Sequence, residues 1–267
     1  MTLQEKAHQL RIDTIKMLFE AQSGHPGGSL SCMDALVALY YNVMNVDPLN
    51  PDMPDRDRFV LSKGHCAPAL YAVLADKGFF PKEELNTLRK LGSILQGHPD
   101  MHKTPGVEVS TGSLGQGISV AMGMALAAKH GGKSYNVYTM LGDGECQEGL
   151  VWEAAMAAAH YKLDNFTVLL DHNGLQIDGR NDDVMSLGDI CAKFAAFGFD
   201  TVKVDGHDID AVTAALKAPF TPGKPKFICC ETVKGKGVSF MEDNASWHGS
   251  AIKPADFEAA MRELEVQ

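Results

Sequence analysis

Apolar positions along this chain recur in two rhythms. Stretches with helical spacing, the first reading LQEKAHQLRIDTIKMLFEA, alternate with short β-branched runs such as NVYTML (136–141) and FTVLLD (166–171). The helical spacing predicts helices over Leu3–Ala21, Cys32–Met44, Ala67–Lys77, Lys82–Leu91, Leu114–Lys129, Leu150–Tyr161, Ile190–Ala196 and Ile209–Lys217, with a last one near Pro254–Leu264. The apolar runs predict strands at Phe59–Leu61, Asn136–Leu141, Phe166–Asp171, Asp200–Val204 and Lys226–Glu231. Runs that are apolar throughout need cover on both faces. The expected fold is therefore α/β, a doubly wound, mostly parallel sheet with helices on both faces. Between Gly92 and Gly112 the sequence QGHPDMHKTPGVEVSTG is too rich in Gly, Pro and His for a regular element and predicts a long loop. Loops of that length in compact domains are often functional.

Size and charge narrow the picture. At 267 residues and 45% hydrophobic content the chain can bury a full core. With no repeat or low-complexity tract, residues 1–267 read as a single domain with a C-terminal extension from about 234. A net charge of −10 disfavours a nucleic-acid partner, which requires clustered Lys and Arg. No apolar run approaches the roughly 20 residues that cross a bilayer, and the amino terminus is charged, so a cytoplasmic location is expected. The six cysteines lack paired spacing and read as free thiols; Cys229 and Cys230, adjacent in a strand, should face opposite sides of the sheet.

The strongest chemical signal is Leu141-Gly142-Asp143-Gly144-Glu145 at the end of one buried strand, with Asn173, 30 positions later, at the end of the next. In an open parallel sheet both tips project into one crevice. A carboxylate, a carboxamide and a nearby backbone carbonyl, completed by phosphate oxygens and water, form the all-oxygen shell that Mg2+ prefers and Ca2+ or Mn2+ accepts. The glycines around Asp143 allow close backbone approach, and the helix that follows offers free N–H groups to an anion. A rival reading is Gly115-Gln116-Gly117-Ile118-Ser119-Val120-Ala121, a near match to the dinucleotide (NAD) fingerprint. It lacks a good preceding strand, and Asp143 lies 26 positions after Gly117 within its own glycine turn.

In order, SGHPGGSLS (23–31), LSKGH (61–65), QGHPD (96–100), TGSLGQG (111–117), GDGECQEG (142–149), DHNGLQIDG (171–179), TVKGKG (232–237) and SWHG (246–249) resemble transketolase. The resemblance spans essentially the whole chain and is nearest to the amino-terminal subunit of divided transketolases. It implies that Asp143, Asn173 and the Leu175 carbonyl hold the metal that bridges the diphosphate of thiamine diphosphate. Gly112, Ser113, Leu114, Gly144 and His65 would line that cofactor, with Lys234 and His248 near its diphosphate and Gly28 in the loop beside it. His25, His65, His98 and His248 would face the substrate as proton donors and acceptors. Three of these follow a glycine and the fourth precedes one. His8, His130, His160 and His207 read as surface residues, and His102 and His172 stay unassigned. Ser113 departs from the proline common at its position, and His172 from the acidic or amide residue often found before the metal-binding Asn. Glu148 matches a position at the subunit boundary.

The same resemblance implies ketol transfer, moving a two-carbon unit from a ketose phosphate to an aldose phosphate. In the family a glutamate on a separate pyrimidine-binding domain activates the cofactor. The chain ends at Gln267, before that domain would begin. A second polypeptide is thus expected to supply that domain, the glutamate and most of the sugar-phosphate arginines, giving a heterotetramer. A thiamine-diphosphate lyase or synthase subunit with a different donor or acceptor is the alternative.

Overall fold

A computed structural model of the chain describes residues 1–266. Five parallel strands form the central sheet in the order β1-β2-β3-β7-β6: β1 is Arg58–Leu61, β2 Val137–Gly142, β3 Phe166–His172, β6 Asp200–Asp205 and β7 Lys226–Glu231. Helices α1 (Leu3–Ala21), α3 (Met33–Asn42), α4 (Ala67–Lys77), α9 (Ile209–Lys217) and α10 (Pro254–Val266) pack with one core; α5 (Gln116–His130), α6 (Gly149–His160) and α8 (Ile190–Phe197) cover the other. Alternation along the strands feeds both cores. Tyr138, Met140, Leu169, Ile228 and Cys230 enter the first, while Val137, Leu141, Val168, Leu170, Phe227 and Cys229 enter the second. The two adjacent cysteines thus face opposite sides, as the strand period requires.

Local chemistry sets the helix ends. Thr2 accepts the Glu5 N–H at 3.1 Å while Glu5 accepts the Thr2 N–H at 2.7 Å, a reciprocal cap that starts α1. The expected helix from Leu114 starts later, at Gln116, because Gly115 adopts φ +80° and breaks the helical path. Ser113 and Leu114 are left in the loop. Segment 82–91 forms only 3-10 turns over Lys82–Thr87, and Arg89 turns left-handed at φ 61°. Three elements escaped the periodicity: α2 (Pro26–Ser31), opened by Pro26 in its first turn, the hairpin β4 (Leu175–Gln176) with β5 (Gly179–Arg180), and α7 (Asn181–Val184). They are too short to show a period.

Register aligns the strand ends. Gly142 pairs with Asp171, and His172 with Glu231, so the residues that follow β2, β3 and β7 share one edge of the sheet. α5 meets β1 at a close crossing: a Cβ on Gly117 would lie 2.6 Å from Ser62 Oγ and 2.7 Å from Ser62 Cα. Gly117→Ala is expected to cost about 1–3 kcal/mol by overpacking. Urea unfolding measures it.

Candidate active site

Asp143 follows β2 and is 2% exposed. Its Oδ2 accepts the Gly174 N–H at 2.5 Å, so the tip of β2 touches the turn after β3. Its Oδ1 is buried and takes no hydrogen bond from any described residue. Burial, abetted by Asp171, pushes the carboxyl up to about 6, against the opposing pull of His172, Gly174 and Lys63. An ionised oxygen buried without a partner calls for a cation. Asn173 is held beside it: its Nδ2 donates to Asp171 at 3.2 Å and its Oδ1 accepts the Leu175 N–H at 3.1 Å. The Leu175 carbonyl accepts from Lys234 Nζ at 3.4 Å, and Lys234 Nζ lies 3.0 Å from His248 Nδ1. Among the described residues no cluster of three or more His, Cys, Asp or Glu is arranged to hold a metal. The candidate set therefore combines one carboxylate with an amide oxygen and a main-chain oxygen, a hard donor set suited to Mg2+.

A cleft of about 380 Å³ gathers most of the expected residues: Asp143, Asn173, Leu175, Gly144, Gly28, Gly112, Leu114, Lys234, His25, His65 and His248 all line it. Two stand apart. Ser113 is exposed, and His98 is not among the lining residues but lies against Gly112, its ring 6.2 Å from that of His25. Gly112, at φ +148°, would place a Cβ 3.1 Å from the His98 ring, so glycine is what lets that loop pass. Gly28 is constrained in the same way, its missing Cβ falling 2.7 Å from Cys66 Sγ.

The four histidines converge. Ring centres lie 5.2 Å apart for His25 and His65, 6.2 Å for His25 and His98, 5.6 Å for His25 and His248, and 5.1 Å for His65 and His248. Burial, then the neighbouring His65, lowers His25 to about 4; burial, then the Lys234 ammonium, lowers His248 to about 3; burial also lowers His98. These rings are neutral near pH 7 and can accept protons or hydrogen bonds. Because the folded chain resists their protonation, stability is lost as pH falls from 6.5, until the folded values near 4 and 3 are passed. A His25→Asn, His248→Asn double variant is expected to lose less stability than its parent between pH 6.5 and 4, read from urea midpoints.

Two further lining residues, Lys63 and Glu145, carry roles that the sequence reading missed. Lys63, 1% exposed, donates to the Asp171 carboxylate and, at 3.0 Å, to the Gly28 carbonyl. Asp171 also accepts from Ser31 Oγ at 2.6 Å and Thr232 Oγ1 at 2.5 Å. Glu145, 1% exposed, accepts from Ser62 Oγ, from the Gly115 N–H at 2.9 Å and from the Gly142 N–H at 3.1 Å. It ties the 111–117 loop to the ends of β1 and β2. The signal was present: polar residues abutting fully apolar strands are buried, and buried charges come paired. His207, expected on the surface, is instead held between Asp34 and the Val233 N–H, and His8 bonds the Leu264 carbonyl at 2.6 Å. A histidine in a turn gives no periodicity from which to read burial. His130 and His160 are exposed as expected.

Comparison with known proteins bears on this geometry. Residues 2–267 match the family described as "Transketolase, thiamine diphosphate binding domain". The chain is 44% identical over 264 residues to a subunit of the apulose-4-phosphate transketolase of Phocaeicola vulgatus, covering 98% of this chain and 94% of that protein. It is 45% identical over 266 residues to the 6-deoxy-6-sulfo-D-fructose transketolase subunit SqwG of Clostridium sp. (strain MSTE9), covering 99% and 97%. The crystal structure of transketolase from Campylobacter jejuni superposes with a TM-score of 0.93 at 34% identity; 99% of this chain matches 43% of that one. The chain therefore spans about two-fifths of that longer transketolase.

Proposed function

Because the chain belongs to the transketolase family through its thiamine-diphosphate-binding domain, we propose that it is the diphosphate- and metal-binding subunit of a divided ketol transferase. The observation that carries this reading is the buried Asp143 Oδ1, without a partner among the described residues, on a side chain that lines a cleft with Asn173 and Leu175. These residues fit a divalent cation, Mg2+ first among Mg2+, Ca2+ and Mn2+. Asp143, Asn173 and the Leu175 carbonyl would hold it, Lys234 would balance the charge of the diphosphate, and the neutral His248 would bond beside it.

Bound thiamine diphosphate supplies the nucleophilic carbon that carries a two-carbon unit from a ketose phosphate to an aldose phosphate. The chain's own residues do the rest. Gly28, Gly112, Leu114 and Gly144 leave the room the cofactor needs and exclude water from it. His25, His65, His98 and His248 bond the substrate hydroxyls and move protons at their ring nitrogens; at His25, His98 and His248 burial favours the neutral form that accepting a proton requires. Ser113 would contribute through its backbone, since its side chain is exposed. Glu148, exposed before α6, would face the second polypeptide. That partner brings the pyrimidine-binding domain and most of the sugar-phosphate contacts, in a heterotetramer. Relatives that span the same length and bear the names of transketolase subunits support the division.

Calorimetric titration of the reconstituted pair with thiamine diphosphate and Mg2+, with NAD as the control, tests the reading. Saturable, Mg2+-dependent binding with none for NAD is expected, together with two-carbon transfer by the mixture and none by this chain alone. NAD binding, or transfer by the single chain, would sink it.

A further inference from the structure

We infer that His207 is a positioning residue that sets Lys234 in the cleft, through an Arg11–Asp34–His207 chain of hydrogen bonds that is buried at Arg11 and Asp34 and half-buried at His207. This rests on the reading of Lys234 as a diphosphate partner. The segment bearing Lys234 is pinned by three main-chain N–H groups. Thr232 donates to the His172 carbonyl at 3.0 Å and Gly235 to the Gly27 carbonyl at 2.9 Å, acceptors that any sequence provides. Val233, directly before Lys234, donates at 2.9 Å to His207 Nε2 instead. This middle anchor depends on one side chain.

The imidazole can accept there only with Nε2 unprotonated, which places the proton on Nδ1. Nδ1 lies 2.7 Å from Asp34 Oδ2, so the carboxylate fixes both tautomer and ring orientation. Asp34, 5% exposed in the first turn of α3, is gripped by both terminal nitrogens of Arg11, one at 3.0 Å. Burial alone would raise the Asp34 carboxyl, yet the bonds from His207 and Arg11 outweigh it and hold it below the ordinary range. Arg11 Nε reaches the Leu30 carbonyl at 3.3 Å, in the helix that carries Gly28. One chain of hydrogen bonds thus joins two walls of the cleft. The Asp208 carboxylate, next in sequence to His207, caps α9 instead and competes for none of these atoms.

The test uses the complex with its partner. His207→Leu removes the acceptor; His207→Gln keeps a donor and an acceptor on one carboxamide. His207→Leu should weaken thiamine-diphosphate affinity about tenfold while leaving kcat at saturation within about twofold, and His207→Gln should restore affinity to within about threefold. In a Lys234→Met background His207→Leu should add no further loss, since both act through one group. Hydrogen exchange in peptide 232–237 of the cofactor-free chain should quicken in His207→Leu and not in His207→Gln, a readout independent of the ligand. Unchanged exchange and affinity in His207→Leu, or losses that add to those of Lys234→Met, would overturn the inference. If Lys234→Met itself binds like the parent while exchange still responds, the role assigned to Lys234 fails and the anchor survives as a structural one.

Discussion

Asp143→Asn is expected to abolish metal-dependent cofactor binding and, in the metal-free protein, to raise stability. The two effects have one cause. A carboxylate oxygen buried without a hydrogen bond is costly in the empty site and useful only when a cation arrives. The carboxyl, ordinarily near 3.8, sits at about 6 in the fold, so the folded state holds that proton more tightly than the unfolded chain. Stability of the metal-free protein therefore declines as pH rises from about 4 to about 6, and above that the ionised group costs on the order of 3 kcal/mol. Asparagine removes the charge and its penalty. Above pH 6 with chelator, the variant should unfold at higher urea than its parent by up to that amount, and the gap should close near pH 4. The histidine effect runs through the same pH range with opposite sign, which is why each variant is read against its parent. Orienting groups behind metal ligands are worth about 10–100-fold in affinity, so loss of a charged ligand should cost at least about 100-fold. Equal Mg2+-dependent affinity in variant and parent would remove Asp143 from the metal site.

How much of this was legible in the sequence depends on the physical signal each feature leaves. Buried strands announce themselves, because FTVLLD and NVYTML have no polar alternation to offer solvent. Their parallel pairing, and the Gly142 to Asp171 register that brings Asp143 to the turn of Asn173, followed from the fold class. The motif histidines were found through the resemblance, their glycine neighbours only adding to it, and the structure brings their rings together. Helix starts were less visible, since a left-handed Gly115 stops α5 where hydrophobic spacing alone would run on to Leu114. Least visible were the groups whose partners lie far off in the chain. His207 bonds Asp34 across 173 positions and Lys63 bonds Asp171 across 108, and no local pattern encodes such a pairing. Buried networks of this kind are satisfied only once the whole fold is assembled.

Lys63 is where that assembly is most exposed to test. Its ammonium joins the turn after β1 to the Gly28 carbonyl of α2 and to Asp171, whose other oxygen contacts reach Thr232 after β7. Burial favours losing the Lys63 proton, but the adjacent Asp171 carboxylate outweighs it and holds the side chain charged. Lys63→Met leaves the Asp171 carboxylate, 1% exposed, with neutral donors only, Ser31, Thr232 and Asn173. Removing one member of a buried pair costs about 3–5 kcal/mol, mainly from the stranded charge. The loss should appear as a lower urea midpoint with an unchanged slope. A Lys63→Met, Asp171→Asn double variant tests the cause, since its carboxamide oxygen can accept from one of the Ser31 and Thr232 hydroxyls while its NH2 donates to the other, and it strands no charge. It should regain most of the lost stability while the Gly28 carbonyl, left with the Ser31 hydroxyl alone, loses its tie to the turn after β1. A double variant as unstable as Lys63→Met would mean that Lys63 matters for the volume it fills rather than the charge it neutralises.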